Sequence, residues 1–130
     1  MTGEAGEPMP ILEVEWVADE QETMPSGLAG RLADAAGDVF RTAPGRTWAR
    51  VRRLSSADYA EDGGGPPADV RPVFVRVLKA RVPAPEDIEN EVERLTRAIA
   101  DVCGRPTENV HVVYLPAAAG RAAFGGRLVR

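Results

Sequence analysis

Two stretches of this chain open on a proline and then alternate apolar with polar residues: PILEVEWV at 10–17 and PVFVRVLKA at 72–80. Each is followed by a segment whose apolar residues recur three and four apart, and then by another alternating stretch. Alternation is the period of a strand with one buried face, and the three-and-four spacing is that of a helix with one buried stripe. Strand, helix and strand, played twice roughly sixty residues apart, predict a tandem βαβ arrangement. Few folds accommodate it.

In the first repeat Leu12, Val14 and Trp16 share one face of the strand, with Glu13 and Glu15 on the other. Ser26 predicts a helix cap ahead of the stripe Leu28, Leu32, Ala35, Ala36 and Val39, and Ala43-Pro44-Gly45 predicts its stop. TWARVRRL (47–54) reads as the second strand. In the second repeat Pro85 suits a first helical turn, and Glu86 and Asp87 complement the positive end of the helix dipole. Ile88, Val92, Leu95, Ile99 and Val102 form its stripe, Gly104 and Pro106 end it, and NVHVVYLP (109–116) is the fourth strand. Between the repeats, SSADYAEDGGGPPAD (55–69) cannot continue a helix or a central strand. The organisation expected is a polar leader at 1–9 and one domain at 10–130. That domain divides into repeat one (10–54), a linker (55–70), repeat two (71–116) and a C-terminal hairpin (117–130).

A right-handed crossover makes the two strands of each unit parallel. The fold class is therefore α/β (α+β): a four-stranded, mainly parallel-paired sheet with two helices on one face. The helices leave the second face bare, yet the strands are apolar in both directions, Phe74 and Leu78 opposing Val73 and Val75. Subunit association is the simplest way to cover it.

Charge and composition exclude several classes. With 16 basic and 20 acidic residues the net charge is −4, so no nucleic-acid footprint is expected. RTWARVRRL (46–54) is locally basic, either a site for an anion or a solvated strand edge. Cys103 is the single cysteine, which rules out an intrachain disulfide, fits a reducing cytoplasm, and falls on the apolar side of its helix as a structural thiol. His111 has no Cys or His companion, so no metal is expected. No apolar run reaches the ~20 residues that span a bilayer, and the start has no secretory pattern. A cytoplasmic protein with no membrane partner is the expectation.

MPILEVEWV, the tandem βαβ layout and the tail GRAAFGGRLV (120–129) together resemble the tautomerase superfamily. That family includes 4-oxalocrotonate tautomerase, macrophage migration inhibitory factor and the chloroacrylic acid dehalogenases; the likeness is to its fused members, over roughly residues 9–130. It implies a homotrimer acting without cofactor on a small anionic carboxylate. The implied enzyme is a tautomerase or isomerase moving a proton on a 2-oxo acid or unsaturated carboxylate. In such proteins a free N-terminal proline nitrogen is the base, and Pro10 matches it. Neighbouring cations and an apolar pocket favour the neutral amine. Arg50 or Arg52, and Arg81 with Lys79 as a weaker substitute, match the substrate-binding cations. Tyr114 is a candidate hydroxyl donor, although Val113 fits the same phase, and Phe124 is a candidate pocket wall. Dehalogenation by hydration, or decarboxylation, would need a further carboxylate or tyrosine to activate water. Glu13 and Glu15 are acidic candidates, or simply solvated.

One departure stands out. With Met9 before it, Pro10 has an amide nitrogen and no basicity. Either the working chain starts after Met9, or the proline is blocked. A blocked proline implies non-proline chemistry, or a binding or assembly role, in the same fold. A third reading is a ferredoxin-like ligand-sensing module, which shares the element order, pairs its halves antiparallel and needs no partner subunit.

Overall fold

A computed structural model describes residues 10–130; the predicted leader, 1–9, lies outside the described residues. The main sheet contains β1 (Ile11–Ala18), β2 (Trp48–Ser55), β3 (Val73–Leu78) and β4 (Val110–Tyr114). α1 (Leu28–Phe40) connects β1 to β2, and α2 (Pro85–Cys103) connects β3 to β4. A short hairpin, β5 (Ala123–Phe124) and β6 (Arg127–Leu128), closes the chain. The expected elements are all present, with strand ends shifted by a residue or more.

Strand order is β2-β1-β3-β4. β1 and β2 pair in parallel, Ile11 opposite Trp48, and β3 and β4 likewise, Val73 opposite Val110. The halves meet where β1 and β3 run antiparallel, Ile11 opposite Leu78. The antiparallel junction is the one the ferredoxin-like reading anticipated. Each unit nevertheless keeps its two parallel strands adjacent, so neither is the split βαβ of that fold.

Registers of this kind put cross-strand partners on one face. Leu12, Val14, Trp16, Val73, Val75, Val77 and Val110 pack against Leu28, Leu32 and Ala36 of α1 and Leu95, Ile99 and Ala100 of α2 in one buried cluster. The same registers send Glu13, Glu15, Arg50, Arg52, Phe74, Arg76, His111 and Val113 to the helix-free face.

Two helix ends differ from the sequence expectation. Gly27, not Ser26, caps α1, because its φ of 78° makes the entry turn and leaves Ser26 a residue outside. α1 ends before Ala43-Pro44-Gly45, at Arg41, which adopts the left-handed conformation at φ 61° while Thr42 N–H bonds the Gly37 carbonyl. α2 follows expectation, with Pro85 in its first turn and Gly104 as its left-handed cap. The linker carries one 3-10 turn, Ser56–Asp58, and brings Tyr59 against Phe74 with ring centroids 5.7 Å apart. The hairpin is tied to the end of β3 by Ala118 N–H to the Lys79 carbonyl (2.8 Å) and Ala119 N–H to the Ala80 carbonyl (3.1 Å). Among the described residues no helix is long and apolar enough to cross a membrane.

Candidate functional site at the head of β1

The first residue of β1, the first of β2 and the last residues of β3 and β4 all lie at one end of the sheet, because β1 and β2 run opposite to β3 and β4. Pro10 sits there, its ring fully buried and its carbonyl accepting the Trp48 N–H at 2.9 Å. The β1/β3 register pairs Ile11 with Leu78, so the residue before Ile11, Pro10, lies opposite the residue after Leu78, Lys79. Tyr114 stands opposite Val77.

Lys79 continues the helix-facing phase of Val73, Val75 and Val77, so its side chain turns toward α2 and meets Glu91. Its ammonium donates to the two carboxylate oxygens at 3.1 and 3.3 Å, with Lys79 and Glu91 side chains only 11% and 13% exposed. The Tyr114 hydroxyl donates to the same carboxylate at 2.6 Å. Phe40, the last residue of α1, lies under the ammonium at 4.6 Å from its ring centroid, an arrangement that favours a cation. Burial first, and then the Glu91 hydrogen bond, push the Tyr114 hydroxyl well above the ordinary tyrosine range, so it stays protonated as a donor.

The hairpin supplies an aromatic wall at the same end. Phe124 meets Trp48 edge to face, centroids 5.6 Å apart, and Trp48 is the residue hydrogen-bonded to Pro10. Arg81 is exposed, and its guanidinium donates to the Arg130 carbonyl at 3.1 Å. Of the sequence candidates, Pro10, Lys79, Arg81, Tyr114 and Phe124 thus belong to this end.

Arg50 and Arg52 go elsewhere. They lie on the helix-free face, where Arg50 pairs with Glu13 and Arg52 with Glu15 at 3.1 Å. With Phe74 and Arg76 they line a shallow groove of about 410 Å³. Glu13 and Glu15 are therefore counter-ions of the two arginines rather than isolated solvated acids. Among the described residues no group of three or more His, Cys, Asp and Glu side chains is placed to hold a metal ion.

Glu91 is the residue that sequence reasoning missed. Its signal was available: three residues after Ile88 and four before Leu95, it lies on the side of the apolar stripe, where an acid needs a partner. Chemically, this end offers a cation, a protonated phenol and a carboxylate in one hydrogen-bonded unit beside a buried proline.

No protein-family model matches the chain, and no curated protein matches it. Solved structures do. A wild-type fused 4-OT, described as a symmetric trimer, superposes with a TM-score of 0.72 at 18% identity, covering 92% of this chain and 94% of that one. Macrophage migration inhibitory factor from Oncomelania hupensis gives 0.69 at 16% identity, covering 94% and 83%. FG41 malonate semialdehyde decarboxylase inhibited by 3-bromopropiolate gives 0.63 at 14%, covering 88% and 90%. The chain shares the fold of these tautomerase-superfamily proteins along most of its length.

Proposed function

We propose that this protein is an enzyme of the tautomerase type, moving a proton on a small 2-oxo acid or unsaturated carboxylate without a cofactor. The observation that carries the reading is Pro10 at the head of β1, at the end of the sheet where Lys79, Tyr114 and the Trp48–Phe124 pair gather. The working chain starts at Pro10 once Met9 and the residues before it are removed. The neutral amine then takes a proton from the enol oxygen or the carbon next to the carbonyl and returns it at the other position. Arg81 is the nearby exposed cation for the substrate carboxylate, and Lys79, held by Glu91, adds positive charge for the enolate that develops. Phe124 and Trp48 wall the apolar side. Arg50 and Arg52 reach substrate only by exchanging Glu13 and Glu15 for it, so they are the weaker ligands within one protomer. The helix-free sheet face is covered in a homotrimer; the fused 4-OT is described as a symmetric trimer.

A second reading is favoured by one specific observation: in the chain as written, Met9 acylates the Pro10 nitrogen. If that bond persists, the same fold serves a non-proline reaction or a binding role. Intact mass of the protein from its native host separates the two, followed by an assay of enol-to-keto conversion of a 2-hydroxydienoate. A chain beginning at Pro10, active, and losing about 10²-fold or more in kcat/KM on Pro10→Ala, is the expected result. A chain retaining residues 2–9 removes Pro10 as the base.

A further inference from the structure

Helix-facing positions of β1 and β3 are filled by Leu12, Val14, Trp16, Val73, Val75 and Val77, all buried and apolar. The series then breaks at Lys79, whose ammonium is held by a carboxylate from α2 that also accepts the Tyr114 hydroxyl. Three elements converge on that carboxylate. Well-packed apolar side chains of similar volume would stabilise such a place as well as an ion pair does. The pair is placed where the β1/β3 register leads from Ile11 and Leu78 to Pro10 and Lys79.

We infer that Glu91 is a positioning residue for the Pro10 end: it holds the Lys79 ammonium and the Tyr114 hydroxyl as one unit and offsets the lysine's charge at residue 10. This rests on the reading in which Pro10 becomes a terminal amine. A bare ammonium beside that amine favours its neutral form, and a carboxylate beside it favours the protonated form. Glu91 therefore sets how far Lys79 can activate the proline, as well as where the ammonium points.

Other charged groups flank this end and are common to all the variants compared. Arg81 donates to the Arg130 carbonyl, and Arg94 on α2 donates to Asn90 at 3.0 Å. Arg41 follows α1, and Arg46, which has an interaction of its own, precedes β2. Of the two titratable groups of β4, Tyr114 donates to Glu91 and His111 lies on the helix-free face.

The test is the acid limb of the pH profile of kcat/KM, read on protein whose first residue has been established by intact mass. Glu91→Gln leaves Lys79 uncompensated, and the limb moves down by about one pH unit. Lys79→Gln leaves Glu91 uncompensated, and the limb moves up by a similar amount. The double variant returns close to the parent, and Tyr114→Phe, which removes a hydrogen bond but no charge, leaves the limb in place. Thermal midpoints are taken in parallel. If Glu91→Gln does not fold, the upward shift of Lys79→Gln and its reversal by Lys79→Arg carry the test. Changed midpoints with an unmoved limb would overturn the inference and leave the proline reading intact. A mass that retains Met9 on an active enzyme overturns both.

Discussion

At the scale of the residue, Arg105 does more than its position suggests. It follows the Gly104 cap in a segment that reads as solvent-exposed, yet its side chain is only 9% exposed. It donates to the Val17 carbonyl at 3.0 Å and the Arg71 carbonyl at 2.7 Å, and its guanidinium lies 5.0 Å from the centre of the Trp16 ring. Arg105 thus joins the end of β1 to the entry of β3 from beyond α2, and Arg105→Ala leaves two carbonyls and the Glu22 carboxylate without it. The expected cost is about 2–4 kcal/mol in urea unfolding. Arg105→Lys restores only part of this, because a single nitrogen, Nη1, donates to both carbonyls, whereas the Nη2 contact with Glu22 and the guanidinium face over Trp16 have no ammonium equivalent. Sequence could not show this, since the partners are main-chain atoms 34 and 88 residues away. Cys103 was legible, because its place on the apolar stripe implied burial. Burial pushes its thiol up to about 11, against smaller opposing effects of Arg105 and Arg31. The neutral thiol therefore dominates until the pH approaches that value, and alkylation by iodoacetamide at pH 8 should run on the order of 100-fold slower than for a free cysteine. Equal rates would mean that the last turn of α2 opens readily.

At the scale of the element, the two helices end in the same backbone conformation with opposite side-chain chemistry. α2 ends on Gly104 at φ 67°, and α1 ends on Arg41 at φ 61°. A left-handed residue with a Cβ costs about 1 kcal/mol relative to glycine. No atom lies within 4 Å of a Cβ built on Gly104, so Gly104→Ala isolates that backbone cost. Chemical denaturation should show a loss of about 1 kcal/mol for Gly104→Ala and a gain of about 0.5–1 kcal/mol for Arg41→Gly. A loss in both would mean that the Arg41 side chain stabilises α1 by more than its conformation costs. The contrast also explains why one helix end was legible and the other was not. Glycine advertises a left-handed cap, whereas an arginine there is selected by the chain's path into the Pro44–Gly45 turn and carries no local signal. The strands and the α2 stripe were legible for the opposite reason, since their burial is periodic. Glu91 fell between these cases: its place on the stripe was readable, but the identity of its partners depended on the β3/β4 register.

At the scale of the whole molecule, the tandem order determines which face is buried, and the registers determine what the other face carries. The expectation that the sheet would be apolar in both directions is met only in part. Phe74 lies on the helix-free face and touches Tyr59 and His111, but the residues that share that face with it include Glu13, Glu15, Arg50, Arg52 and Arg76. Those pairings were hidden in the sequence, because matching Glu13 to Arg50 and Glu15 to Arg52 requires knowing how β1 aligns with β2. In the proposed trimer a face so composed meets a partner that keeps the ion pairs wet and buries the apolar rim. Val113, on edge strand β4, is the clearest part of that rim at 58% exposed. In the proposed trimer, Val113→Asp sets a desolvated charge against a neighbouring subunit, costing several kcal/mol per contact. In the isolated protomer the same change is solvated and should alter stability by less than about 0.5 kcal/mol. Sedimentation equilibrium should accordingly move from a trimer mass to a monomer mass, with far-UV circular dichroism unchanged. If the trimer mass persists in Val113→Asp, β4 lies outside the interface, and covering the helix-free face falls to the β2 edge instead. There Trp48, 41% exposed and already packed on Phe124 of the hairpin, is the apolar residue available to a neighbour. That outcome would put subunit contact directly beside Pro10, so that assembly and the candidate site would depend on the same aromatic pair.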